Sequence, residues 1–133
     1  MQRRVLIWVA VILTLLDVAL HLRRSLVPNG NPFDSPLHAQ FLLYSVVALV
    51  LALGLLVAPA WLGPRAWLAS AALIVWQLGA IAVWFAMYHA PNPPGVVPDE
   101  GYVSKVIEAV IILCLLPTLR MPEPASERVM TGA

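Results

Sequence analysis

Hydrophobic positions in this chain are gathered into four long blocks, residues 5–22, 38–58, 67–88 and 102–119. Blocks of this length predict membrane-spanning helices, because about 20 helical residues at 1.5 Å rise cross a hydrocarbon core of about 30 Å. Between them lie Pro28-Asn29-Gly30-Asn31-Pro32, the stretch 59–65 with Pro59 and Pro64, and Pro91-Asn92-Pro93-Pro94-Gly95. Proline fixes φ and removes an amide donor, so each cluster is expected to end a helix and turn the chain back. The pattern predicts an all-α integral membrane four-helix bundle of up-down-up-down hairpins over residues 1–120. Residues 121–133, with Pro122, Pro124, Ser126 and Gly132, are expected to form a disordered cytoplasmic tail.

Met1-Gln2-Arg3-Arg4 before an apolar block has the form of a basic leader, but no small-x-small cleavage site follows Asp17. The first block is therefore expected to stay as a helix. Composition agrees with a lipid environment: 61% of residues are hydrophobic, 11% are charged and the mean hydropathy is +0.85, whereas soluble domains carry about 25% charged residues.

The basic residues set an orientation. With the N-terminus inside, Arg3, Arg4, Arg65, Arg120 and Arg128 face the cytoplasm with Glu123 and Glu127, a net +3, and the outer side carries a net −2. This satisfies the positive-inside bias, although Arg23 and Arg24 on the outer side weaken it. Both termini are then cytoplasmic, in a cell membrane of prokaryotic type. Trp8, Trp61 and Trp67 would mark the inner interface, and Trp84, Tyr88 and Tyr102 the outer one. The formal net charge of +1 and the lack of a basic stripe argue against a nucleic-acid partner. The partners expected are the lipid bilayer, other membrane subunits or further copies of the chain. Cys114 is the single cysteine and forms no internal disulfide. There is no phosphate-binding glycine loop, nucleophile elbow or paired CxxC.

Chemistry gathers at one edge. In this topology His21, His38 and His89 all lie at the outer boundary, with Asp17 and Glu108 slightly deeper. Charged residues within lipid are costly, so two carboxylates and three imidazoles at similar depth suggest a site. Asp17 and His21, four residues apart, share a helix face, and Arg24 continues the stripe. His38 opens the next helix and is expected to meet His21 across the hairpin. Imidazole with carboxylate suits a transition metal, namely copper, iron or zinc, rather than calcium or magnesium. The ligand set read from the sequence is Asp17, His21 and His38, with Glu108 as ligand or ligand-orienting partner and His89 as a weaker member. Haem is disfavoured, since no histidine pair lies deeper in the membrane and the carboxylates fit a non-haem ion.

Asp17-x3-His21 followed by His38 resembles the Asp-x3-His…His copper ligands in the membrane subunit of methane and ammonia monooxygenases. The resemblance covers three residues, and sixteen residues separate His21 from His38, several more than in that pattern. It implies copper as the metal at these positions.

Plainer roles stand beside these. Asp17 can pair with Arg24 or His21, and Glu108 with Lys105 three residues before it. His89, followed by Ala90-Pro91, can be a solvated helix end, and His38, at a helix start, a neutral hydrogen-bonding group. Gln77, near the middle of the third block on one stripe with Ser70 and Trp84, is expected to hydrogen-bond to another helix. Ser45, Ala48, Ala52 and Gly54 supply small side chains for close helix approach. Two functions remain open: a small membrane protein with a metal site at the outer edge of the bundle, or a non-catalytic accessory or assembly subunit of a larger complex, such as a respiratory or monooxygenase complex. Neither reading makes the chain an enzyme by itself, and transport lacks the broken helix pair it calls for.

Overall fold

The structure, a computed structural model, describes residues 2–26, 36–91, 93 and 99–120. Four α-helices account for most of them: α1 (Gln2–Leu26), α2 (Pro36–Leu62), α3 (Trp67–Tyr88) and α4 (Asp99–Leu115). No strand occurs among the described residues. All four helical segments are long and apolar enough to cross a membrane. A chain in lipid must satisfy its backbone groups internally, and a helix does this within a single segment. The tail at 121–133 lies outside the described residues, as do 27–35 and most of the linker before α4.

The helix ends differ from the expected ones for identifiable reasons. α1 runs past its apolar block into polar sequence, through Arg23, Arg24 and Ser25, and α2 runs past its own block at both ends, from Pro36 to Leu62. Pro59 does not stop α2, which continues to Leu62. The missing amide lies in the last turn, where a proline costs a single intrahelical bond. The reversal falls instead at a 3₁₀ turn, Gly63–Arg65. There Gly63 has a φ of +51°, a left-handed conformation that a residue without Cβ adopts freely. Pro117 converts the end of α4 into a second 3₁₀ turn, Leu116–Leu119. The Thr118 hydroxyl donates to the Leu115 carbonyl at 2.7 Å and lies 2.9 Å from Ser70 Oγ on α3.

Each helix turns one stripe inward. On α1 the buried positions are Arg3, Ile7, Ala10, Val11, Thr14, Asp17, His21 and Ser25, the three-and-four spacing of a single helix face. α1 packs against α2 and α4, and α3 packs against the same two helices. The stripe changes character along its length. Ile7, Ala10 and Val11 join Leu55, Leu73, Ile74, Ile107, Ile111 and Leu115 in one apolar cluster. The next two turns of α1 bring Asp17 and His21 to the interior, so the apolar core gives way to a polar layer toward the end that carries the histidines.

Outside, the surface is apolar. Val50, Val75, Val106 and Leu113 are each more than 60% exposed, as suits side chains facing hydrocarbon. Small residues on α2 work as expected at Ser45, Ala48 and Ala52, all buried at 3% exposure or less. Gly54 is different: a Cβ there would touch nothing within 4 Å, so it marks no close approach. Hydroxyls within the spans bond back to their own helix, Thr14 to the Ala10 carbonyl at 2.8 Å and Ser45 to the Phe41 carbonyl at 2.8 Å. Neither hydroxyl hydrogen is thereby stranded in lipid.

Candidate functional site

The polar layer is built from all four helices. Asp17 on α1 is fully buried and accepts hydrogen bonds from two neighbours: Tyr44 of α2 donates to Oδ2 at 2.5 Å, and Ser104 of α4 donates to Oδ1 at 2.7 Å. The Tyr44 hydroxyl also lies 2.5 Å from the side-chain oxygen of Gln77 on α3. One phenolic proton cannot serve both acceptors, and a carboxylate is the stronger. With the Gln77 amide turned over, its nitrogen, which otherwise has no partner, would donate an N–H to the tyrosine oxygen.

His21 lies one helical turn beyond Asp17. Its Nδ1 is 3.0 Å from the Asp17 carbonyl oxygen and 3.5 Å from Asp17 Oδ1, and its Nε2 is 3.9 Å from Glu108 Oε1. Its ring is fixed by stacking on Tyr44, with centroids 4.0 Å apart, and by an edge contact with Phe41. Glu108 is fully buried. Its Oε1 receives the Lys105 ammonium one helical turn away and lies 3.2 Å from Ser104 Oγ, while its Oε2 has no hydrogen-bond partner. Asp17, His21 and Glu108 each offer a ligand atom, and these atoms all lie within 4.8 Å of one another. Among the described residues they form the one group of at least three His, Cys, Asp or Glu side chains so arranged.

The other two histidines stand apart from this group. Contacts between α1 and α2 join 17 to 44, 18 to 45 and 21 to 41, so numbers fall on α2 as they rise on α1. The side chains facing His21 are thus Phe41 and Tyr44. His38 is not among the residues whose ligand atoms converge with that of His21. His89 caps the C-terminal end of α3, is exposed, and lays its ring against Phe85 at 5.1 Å, with Nδ1 3.1 Å from the Phe85 carbonyl oxygen. Arg24 does not reach Asp17. It and Arg23 lie 3.9 and 3.2 Å from Glu100 at the start of α4.

Tyr44 and Ser104 carry no mark in a single sequence that sets them apart from other hydroxyls. A usable signal was present all the same, since Tyr44 is about as many residues inward from the start of its helix as Asp17 is from the end of its own. Ser104 is one turn from Glu108 on the same face.

Beside the network runs a cleft of about 540 Å³ between α2 and α3, its polar end lined by His21, Arg24, Tyr44, Glu100, Ser104 and Lys105. Fold and site together define a class: a helical protein with four potential membrane spans and a buried Asp–His–Glu cluster beside an open cleft. Comparison with known proteins finds no matching family model, no matching curated protein and no matching solved structure.

Proposed function

We propose that the chain is a small integral protein of a prokaryotic-type cell membrane, folded as an up-down-up-down bundle with both termini cytoplasmic. In this reading Asp17, His21 and Glu108 hold a transition-metal ion at the extracytoplasmic edge. The observation that carries it is the convergence of three ligand-type atoms in a buried layer where Glu108 Oε2 has no partner. A buried carboxylate oxygen without a donor is costly, and a cation would satisfy it. Tyr44 and Ser104 would orient Asp17, as hydrogen-bonding neighbours of metal ligands do.

One imidazole with two carboxylates is an oxygen-rich donor set, which favours zinc or iron over copper. Copper would need His38 as a further nitrogen ligand. The test is a titration of the detergent-purified full chain with cobalt(II), a coloured stand-in for zinc. Wild type is expected to saturate at one equivalent with visible absorption, His21→Ala to give none, and His38→Ala to match wild type. Loss of binding in His38→Ala would restore the copper-type ligand set. A flat wild-type curve would sink the metal reading.

A second reading has its own support, because both Asp17 oxygens and one Glu108 oxygen already have protein partners. Under it the cluster pins four helices together in an accessory or assembly subunit whose apolar faces meet other membrane proteins. Orientation is tested independently: a cysteine placed at Asn31 in a Cys114→Ala background is expected to react with an impermeant thiol reagent added to intact cells. Protection at that position would invert the topology.

A further inference from the structure

The cleft between α2 and α3 extends from Leu37 to Leu51 on one wall and from Ala72 to Tyr88 on the other, roughly 20 Å of helix. Its volume of about 540 Å³ falls within the roughly 300–1,000 Å³ of small-molecule sites. Two features say what it would hold. Phe41, Tyr44, Trp76, Trp84 and Tyr88 all line it, a density of rings suited to a planar partner. Its polar end offers a donor: the Lys105 ammonium has three N–H groups and one carboxylate partner. An acceptor-bearing head would meet it.

Charge decides between a neutral and an anionic head. Arg24 and Glu100, 3.9 Å apart, also line this end and offset each other, while Asp17 and Glu108 lie directly behind His21, Ser104 and Lys105 and repel a further carboxylate. A carbonyl avoids the repulsion and still accepts from Lys105. Space is left in the wall as well, because a Cβ at Gly79 would meet nothing within 4 Å.

We infer that the cleft binds a neutral, lipid-soluble molecule with a planar carbonyl-bearing head, of the quinone class, its head toward His21 and Lys105 and its tail between α2 and α3. The site shares His21 with the proposed metal centre but does not depend on a bound ion. Trp76 and Trp84 stand in its walls and serve as reporters, since quinones quench indole fluorescence.

The test titrates the purified full chain in detergent with decylubiquinone, and with palmitate as competitor. Saturable quenching is expected, with palmitate failing to displace the quinone at equal concentration. Gly79→Leu, which fills the wall, is expected to weaken binding at least about tenfold while leaving cobalt(II) binding unchanged. Ala80→Leu, one position on, takes its place if that variant does not fold. Non-saturable quenching that is the same in wild type and the filled variants would show simple partitioning into detergent and overturn the site. Displacement by palmitate at equal concentration would overturn the assignment of the head. A flat cobalt(II) curve for wild type with quinone binding intact would remove the metal reading alone.

Discussion

Lys105→Met is expected to raise the affinity of the purified protein for a divalent transition metal by at least about tenfold, which corresponds to about 1.4 kcal/mol. The ammonium sits on Glu108 Oε1 and is largely buried, its side chain 13% exposed. It therefore occupies part of the coordination space and adds a positive charge beside it. Two unit charges about 4 Å apart repel by roughly 4 kcal/mol at the effective dielectric of a protein surface, so a tenfold gain claims only part of that. Without metal the same variant leaves a buried carboxylate with no cation and is expected to unfold at a lower temperature. Zinc should restore the loss, because a ligand bound to the native state alone stabilises by mass action. If Lys105 and Glu108 are only a structural pair, the loss appears and zinc does not reverse it. Isothermal titration with zinc and thermal unfolding with and without it read both quantities.

Tyr44→Phe is expected to produce the largest loss of stability for a change of one atom. The ring keeps its stack on His21 and its contact with Trp76, at 4.0 and 5.9 Å between centroids, so packing is unaltered. The lost hydroxyl strands Asp17 Oδ2 and the whole amide of Gln77, for which the structure shows no other partner. Each stranded buried polar group costs about 1–3 kcal/mol. Adding Gln77→Leu should recover part of the loss, since removing both partners of a buried bond is gentler than removing one. Unfolding of the single and double variants in one detergent measures the coupling. Strict additivity of the two changes would mean that Tyr44 and Gln77 do not interact.

The sequence was most informative where lipid imposes the rule. Hydrocarbon demands long apolar helices, so four segments long and apolar enough to cross it could be read from hydropathy alone. Asp17 and His21 were legible as a pair because four residues on a helix is a geometric statement, and Glu108 because an acidic residue inside an apolar block is costly enough to need a partner. Lys105 as that partner follows from the spacing of three.

What stayed hidden depended on register between helices. Whether His21 faces His38 or Tyr44 turns on where α1 and α2 end and how they slide past each other. α1 continues into polar sequence that an apolar pattern does not mark as helical, and α2 begins and ends beyond prolines that read as breaks. The phenol of Tyr44, stacked on His21 and bonded to Asp17, is the partner that the register brings to the site. Pro59 misled for a related reason, since a proline in a last helical turn breaks little. The role of Gln77 was legible in kind, a bond to another helix, but not in partner.

The central claim is that Asp17, His21 and Glu108 act as one metal-binding unit, and the most direct measurement is the cobalt(II) titration carried out on Glu108→Gln beside wild type. Glutamine keeps the shape of the side chain and removes its charge as a ligand. Wild type is expected to reach a saturating absorption at one equivalent and Glu108→Gln to lose it, with helix content by circular dichroism the same in both. Superimposable titration curves for the two proteins, whether both flat or both saturating, would contradict it.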